Sequence, residues 1–561
     1  MGNDVAKVSS LNASVQFLRE NFYSCRTEHE KCHDPKCTYL PKRIVDISKP
    51  RYRVIEPAAY TEGVYATLSY SWGGRGFPMT TSQNYQERKH GFDRDALPIA
   101  FQDAAAMAWS LDIHYIWIDT LCIIQDDAAD WEDQAAKMGQ IFEGAAITIA
   151  ASLSTDPYQT FFTARESSYQ EAELYSEFKG ELIDVVFKAR RKITRGIHAK
   201  VGRSRDIDPL DKRAWGLQEK MLSRRLIAFT GAELQWTCRT LKACECHHNT
   251  SPSQPLFPTP TGPIAANDFV KLSKSWSQIV EEYSTRKLRY PADKLPALDG
   301  LASKFGTATG WTYIAGGWRE TILHDLVWQR DLVPTVSSAG RCGPSFSWAS
   351  SPGAVNFRFA RHSYPGHRIE HTTLVEFGYT SAGNHVYSKA PDAWLKIRGH
   401  TVSAVLRRSS HGFQAYNICI DEATYSPSTD QRATCEFSID ASIPHYDTKR
   451  IPGALENRPN EASNGPGDQD KEQSILLLSL YSIHHQRHLY HNFLILERSN
   501  DSVDSYRRIG VGTGKMYRGK GREDGFPSER QLVRPFEWLL QDLEKGGRRF
   551  ADIVERDLRV R

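Results

Sequence analysis

Long hydrophobic runs are missing from this chain. Its most apolar stretches, such as SILLLSLY at 474–481, fall far short of a membrane span. The opening residues, MGNDVAKVSS, lack the apolar segment of a signal peptide. Ala6 also stands where N-myristoylation needs Ser or Thr. These two absences make a cytoplasmic protein with no membrane span the expectation. Charge of one sign is scarce as well: 71 Lys and Arg face 67 Asp and Glu, a formal net charge of +4 over 561 residues. The basic run ARRKITR at 189–195 is short, reads as a solvated face, and gives no ground for a nucleic-acid partner.

Cysteine is too sparse for a disulfide framework, with 10 in the whole chain. No repeat with a period of about 20–50 residues is present, which removes propellers and solenoids. Nucleotide loops are missing too. GVGTGKM at 510–516 lacks the phosphate-loop spacing and has Met516 where Ser or Thr should follow the lysine. No Rossmann fingerprint follows an expected strand, so no bound dinucleotide cofactor is expected.

What remains is the composition of a folded protein. Apolar residues make up 40% and charged residues 25%, with 13 Trp and 24 Tyr to build a core. A helix is expected around VQFLRENFYSC, then extended chain through RIVDIS and RYRVIE. VYATLSYSW (64–72) reads as a buried strand stopped by Gly-Gly. LPIAFQDAAAMAWSLDI (97–113) reads as a helix, with Phe101, Ala104, Ala105, Ala108 and Leu111 on one face. The run YIWIDTLCIIQ then reads as a buried central strand carrying Asp119 towards its end. A second helix follows, with Asp130 as its cap and a stripe through Trp131, Ala135, Met138, Phe142 and Ala145. AITIAAS (146–152) is the third strand. β-α-β-α-β in so short a space predicts an α/β fold with a parallel sheet.

Residues 153–210 are more polar and read as an insertion. DKRAWGLQEKMLSRRLIAF reads as one helix and ELQWTC as a strand. The Pro- and Thr-rich stretch within 241–265 reads as a linker. Residues 266–561 start with the helix FVKLSKSWSQIVEEYSTRKL and continue as a mixed α+β region of mostly short strands, with a surface loop at 457–473.

Within RAWGLQEKML, Trp215, Gln218, Glu219 and Leu222 share one helical face. A carboxylate on an apolar face is costly unless it is paired or works. Glu219 is therefore either salt-bridged to Arg213, Arg224 or Arg225, or a functional group. Asp119 either orients a ligand or caps a turn. Cys122, in an apolar setting, is expected to be a packed thiol. Two stretches offer metal-ligand chemistry: CRTEHEKCHDPKC (Cys25, His29, Cys32, His33, Cys37) and CRTLKACECHH (Cys238, Cys244, Cys246, His247, His248). Neither has the regular paired spacing of a zinc module, so they are expected to be surface and turn residues, with no metal bound.

Three stretches together resemble the fungal heterokaryon-incompatibility (HET) domain: YATLSYSWGG (65–74), the segment 97–152, and RAWGLQEKMLSRRLIAFTGAELQWTC (213–238). The resemblance puts a HET domain at 63–240, with its insertion at 153–210, after an N-terminal flank at 1–62. It implies a filamentous-fungal protein of the non-self recognition type, linked to programmed cell death when unlike hyphae fuse. The domain is also similar to the Toll/interleukin-receptor (TIR) domain, which implies a flavodoxin-like parallel sheet flanked by helices. ATLSYSW matches the first TIR strand, and RAWGLQEK resembles the segment carrying the TIR catalytic glutamate, with residues 153–214 standing between.

The TIR likeness implies cleavage of the nicotinamide–ribose bond of NAD⁺, taken as substrate. Glu219 would stabilise the oxocarbenium-like state. Trp215 or Trp72 would stack on a ring, and Ser69 and Tyr70 would bind ribose or phosphate, beside Asp119. The expected partners are further copies of the chain or other incompatibility proteins. The alternative is a non-enzymatic scaffold that self-associates as adaptor-type TIR domains do.

Overall fold

A computed structural model describes residues 9–33, 40–74, 76–163, 169–178, 181–190, 208–246, 251–253, 266–331, 343–358, 368–379, 393–408, 416–420, 423–425, 435–439, 473–485, 488–499, 505–517 and 554–560. The chain divides into two compact units. One is Met1–Phe257 with Arg286–Arg289 and Pro296–Lys304; the other holds the remainder.

The N-terminal unit begins with helix α1 (Leu11–Glu28), whose first turn is capped by Ser10 Oγ accepting from Ala13 N at 3.3 Å. Strands β1 (Ile44–Asp46) and β2 (Arg51–Ile55) form an antiparallel pair, followed by β3 (Ala66–Ser69). Helix α2 (Tyr85–His90), the short β4 (Phe92–Asp93) and helix α3 (Ile99–Ser110) lead to β5 (Tyr115–Trp117). A single helical turn, α4 (Asp119–Cys122), precedes α5 (Ala128–Gly144) and β6 (Ile147–Ala150). The hairpin β7 (Tyr169–Phe178) and β8 (Glu181–Arg190) is antiparallel. Helix α6 (Trp215–Leu222) leads to β9 (Arg225–Phe229), β10 (Leu234–Cys238), β11 (Leu241–Cys244) and β12 (Ser251–Pro252).

Ten of these strands form one sheet in the order β12-β11-β10-β9-β6-β3-β5-β1-β2-β4. Its centre, β9-β6-β3-β5, is parallel, and antiparallel strands extend both sides. β3, β6 and β9 are buried at every position, the continuous burial of strands covered on both faces. The expected α/β fold with a helix-flanked parallel sheet is what the chain adopts. β1 and β2, from the flank before residue 63, belong to this same sheet through the β1–β5 pairing.

Three local expectations need correction. The run from Tyr115 is a strand only to Trp117; from Asp119 it turns helical, because the Asp119 carboxylate accepts the Thr120 N–H at 2.7 Å and bends the chain. The cap of α5 is Asp127, which accepts from Ala129 N (3.0 Å) and Asp130 N (3.1 Å). Asp130 sits one turn inside and is buried against Arg43. The stretch read as one helix over 211–229 splits at Ser223: α6 ends at Leu222 and β9 begins at Arg225.

In the other unit, helix α7 (Ala266–Ser284) appears as expected; residues 299–304 of helix α8 (Asp299–Thr309) are counted with the N-terminal unit. A second ten-stranded sheet, mostly antiparallel, follows. Its strands are longer than expected: Trp394–Arg408 has 15 residues, and Gln473–His485 and Ser505–Tyr517 have 13 each. GVGTGKM lies inside Ser505–Tyr517, paired along its length with His488–Arg498, so it is strand and not a phosphate loop. Arg508 locks this core, its guanidinium 3.6 Å from the centre of the Trp328 ring. The loop expected at 457–473 lies outside the described residues except for Gln473. The linker expected at 241–265 is corrected over 241–246 and 251–253, which supply β11 and β12 of the first sheet, and its other residues lie outside the described ones.

Candidate functional site

The C-terminal end of β3 and helix α6 meet at one hydrogen bond: Ser69 Oγ donates to Glu219 Oε2. Both residues are 2% exposed. α6 is held in register by Gln218, whose Oε1 accepts from Gly300 N at 2.7 Å, and by Ser223 Oγ, which donates to the Glu219 carbonyl at 2.5 Å. A ladder of hydroxyls ties that helix end to the sheet. Thr148 Oγ1 lies 2.6 Å from Ser223 Oγ and 2.8 Å from Thr67 Oγ1.

Burial pushes the Glu219 carboxyl above its usual range. The Arg213 charge and the Ser69 hydrogen bond oppose that rise, Asp119 adds to it, and Arg286 opposes it. Where the salt-bridge alternative would set an arginine against Glu219, Ser69 is the residue that donates to its carboxyl. Arg213 instead donates through Nη1 to the Tyr70 carbonyl, and Arg286 Nη1 donates to the Arg213 carbonyl at 3.2 Å.

Beside this pair, Asp119 collects donors from the segment that follows β3. Tyr70 OH donates to Oδ1 at 2.7 Å and Trp72 Nε1 to Oδ2 at 2.8 Å. Burial first, then the Asp119 charge, pushes the Tyr70 hydroxyl well above its usual range, so it acts as a donor. Five of the six residues singled out in the sequence, Ser69, Tyr70, Trp72, Asp119 and Glu219, are thus linked to one strand end. Trp215, the sixth, opens α6 and meets Trp131 edge-to-face at 6.3 Å. Sequence reasoning missed Thr120, whose Oγ1 lies 2.9 Å from the Tyr70 hydroxyl, and Arg286, which acts on Glu219; no local pattern marks either.

The parallel strands β3, β5, β6 and β9, numbered one to four in chain order, lie in the spatial order 2-1-3-4. That is the flavodoxin-like winding, in which ligands bind outside the carboxyl ends of the strands where the first and third are neighbours. Ser69 ends the first strand, β3, which pairs directly with the third, β6. Residues 153–210 leave and return at this edge: Leu210 N donates to Ser152 O at 3.2 Å. The long separation of Ser69 from Glu219 in sequence is therefore an excursion whose ends touch.

Cys122 is fully buried, and burial pushes its thiol up to about 12, so it is a packed thiol. The expectation that the Cys/His stretches are surface and turn residues fails for five of the seven that are described. Cys25, Cys32, Cys238, Cys244 and Cys246 are buried. Cys25, His29, Cys32 and Cys238 converge on one point, and Glu233, Cys244 and Cys246 on another. His33 is exposed, while Cys37, His247 and His248 lie outside the described residues.

Residues 65–219 match the family model described as Heterokaryon incompatibility protein (HET). The chain carries a HET domain. Its matched span opens one residue before β3 and closes on Glu219, so the HET domain contains both ends of the Ser69–Glu219 contact. No curated protein and no solved structure matches this HET-domain protein. Among its described residues, no helix is long and apolar enough to cross a membrane.

Proposed function

We propose that this protein of the heterokaryon incompatibility type is a cytoplasmic cell-death effector whose HET domain cleaves NAD⁺ as substrate at Glu219. The observation that carries the reading is the position of Glu219: a buried carboxyl held by Ser69 at the end of the first parallel strand, beside the winding switch where open α/β sheets take ligands. Two arginines act on it electrostatically and favour its ionised form.

Hydrolysis breaks the bond between ribose C1′ and the nicotinamide nitrogen. The bonding pair leaves with nicotinamide, and the ribose develops positive charge. An ionised Glu219 stabilises that charge, and water then adds to C1′, giving up a proton. The Trp72 ring, half-buried beside Asp119, supplies a stacking face, and Tyr70 and Ser69 supply hydroxyls. Because Glu219 is buried in this state, substrate enters only after rearrangement. That suits an effector which is silent alone and active after self-association with further copies or with other incompatibility proteins.

The same burial supports a second reading. Ser69, Tyr70, Trp72, Asp119 and Glu219 already satisfy one another, as the core of a non-enzymatic self-associating scaffold would. The experiment is NAD⁺ consumption with nicotinamide release by the full chain, at high concentration with and without crowding agent, for wild type and Glu219→Gln. Turnover by wild type that Glu219→Gln abolishes, with circular dichroism unchanged, supports the enzyme. Turnover insensitive to Glu219 moves the site elsewhere. No turnover in any state favours the scaffold.

A further inference from the structure

Far from Glu219 in sequence, α1 ends in a side-chain arrangement that the proposed reaction does not use. Cys25 lies in its last turn, His29 is the residue after its end, and Cys32 closes the short helical turn that follows. Cys238 is the last residue of β10. The three sulfurs and one imidazole nitrogen all lie within 4.8 Å of one another, with Cys238 Sγ 3.5 Å from His29 Nδ1. Zinc bonds of about 2.3 Å to sulfur and about 2.0–2.1 Å to nitrogen set tetrahedral ligand atoms roughly 3.5–3.8 Å apart. A small contraction brings this cluster to that spacing.

We propose that Cys25, His29, Cys32 and Cys238 form a closed, four-ligand structural zinc site that fastens α1 to the β10–β11 side of the sheet.

The surroundings fit such a centre. Leu241 N donates to Cys238 Sγ at 3.3 Å, and Thr240 Oγ1 lies 3.5 Å from Cys32 Sγ. Arg225 is fully buried, and its Nε donates to Cys25 Sγ at 3.3 Å while Nη2 donates to the Cys32 carbonyl. Three thiolates around Zn²⁺ carry a net charge of −1, and the guanidinium beside them brings +1. Partners of this kind, donating to ligand sulfur, orient metal ligands and balance their charge. The bland alternative is three packed thiols beside a histidine. It leaves unexplained why the imidazole nitrogen and the guanidinium both face sulfur. With four protein ligands and no open position, the site is built for stability rather than catalysis.

Three of the four ligands are local. Cys25, His29 and Cys32 are spaced four and then three residues apart, so one helical turn and one tighter turn bring them together. The fourth ligand comes from 209 positions beyond His29, which is why spacing alone does not reveal the site. Zinc here would add binding free energy to the folding of the N-terminal unit.

The test uses the full chain purified under reducing conditions without chelator, with metal content measured by plasma mass spectrometry. About one zinc per chain is expected, lost in Cys25→Ser/Cys32→Ser and retained in Cys244→Ser/Cys246→Ser, which removes the thiols of the three-residue cluster. A zinc-free wild-type chain, or zinc that follows Cys244 and Cys246 instead, overturns the proposal. Should the first variant fail to fold, cobalt substitution of the wild type decides. Intense tetrahedral bands with thiolate charge transfer support the site; a weak octahedral spectrum refutes it.

Discussion

Ser69 and Glu219, 150 positions apart, share a hydrogen bond buried between the end of β3 and α6. The strand supplies the hydroxyl, the helix supplies the carboxyl, and burial raises the carboxyl's pKa. A group whose folded pKa is raised is fully tolerated below its unfolded value, and its contribution is lost as pH rises through the folded value. Glu219→Gln should therefore match wild type near pH 4 and equal or exceed its stability at pH 8. Urea denaturation at the two pH values checks this. A variant less stable at pH 8 than wild type would mean that the arginines hold Glu219 as a paired anion. Ser69→Ala, which leaves the carboxyl without its donor, should cost about 1–3 kcal/mol.

The Arg43–Asp130 pair carries the opposite pH signature. Burial pushes the Asp130 carboxyl up, but hydrogen bonds from Arg43, the Ile124 N–H and Lys42 outweigh it and hold it down at about 2. A depressed pKa contributes stability above the unfolded value, about 3.9 for Asp, that is lost as pH falls through the folded value. Asp130→Asn should flatten the acid limb of a stability profile between about pH 4 and 2. Asp130→Ala takes away the nearer counter-charge of buried Arg43, leaving Glu56 at 3.7 Å, and should cost about 1.5–3 kcal/mol at neutral pH. Thermal denaturation across pH reads both.

Close packing behind Glu219 depends on two glycines. A Cβ on Gly139 of α5 would sit 2.9 Å from Gly300 Cα and 3.1 Å from Leu222 Cδ1. Gly300 also donates to Gln218, the neighbour of Glu219. Gly139→Ala should destabilise by about 1–3 kcal/mol through overpacking. Gly74→Ala, where a Cβ meets nothing within 4 Å, should leave the melting temperature near wild type. Equal melting of both variants would argue against this contact.

Asp299, at the start of α8, is a buried carboxyl with no hydrogen-bond partner at Oδ1, and burial raises its pKa to about 7. The penalty for ionising it is absent below the unfolded value and grows as pH rises through 7. Asp299→Asn should be neutral near pH 4 and stabilise by about 1–3 kcal/mol at pH 8. Denaturant midpoints at both pH values test it, and a loss of stability at pH 8 would reveal a partner for the anion.

Much of the N-terminal unit was legible in the sequence because its signals are local. Alanine-rich periodicity marks α3, and the run before Gly-Gly marks β3. β9 reads as helix in the sequence because a strand buried at all five positions has no alternation, so periodicity does not separate it from a helix continuing from α6. Asp127 and Asp130 both have capping chemistry; the choice went to Asp127 because Arg43, from far upstream, draws Asp130 inward. Glu219 was legible as an acidic residue on an apolar face, whereas Arg286, which acts on it, was not.

The α/β alternation, the HET pattern and the residue types on offer are written in the chain: a carboxyl on an apolar helix face, hydroxyls at a strand end, thiols near a histidine. These follow from propensity, periodicity and short spacing, which act over a few turns of chain. Which of them meet depends on long-range packing. Strand order puts Ser69 against Glu219 and carries Cys238 to the end of α1. Such contacts close loops of 150 and 209 positions, and burial of the whole sheet, rather than any local preference, makes that closure favourable.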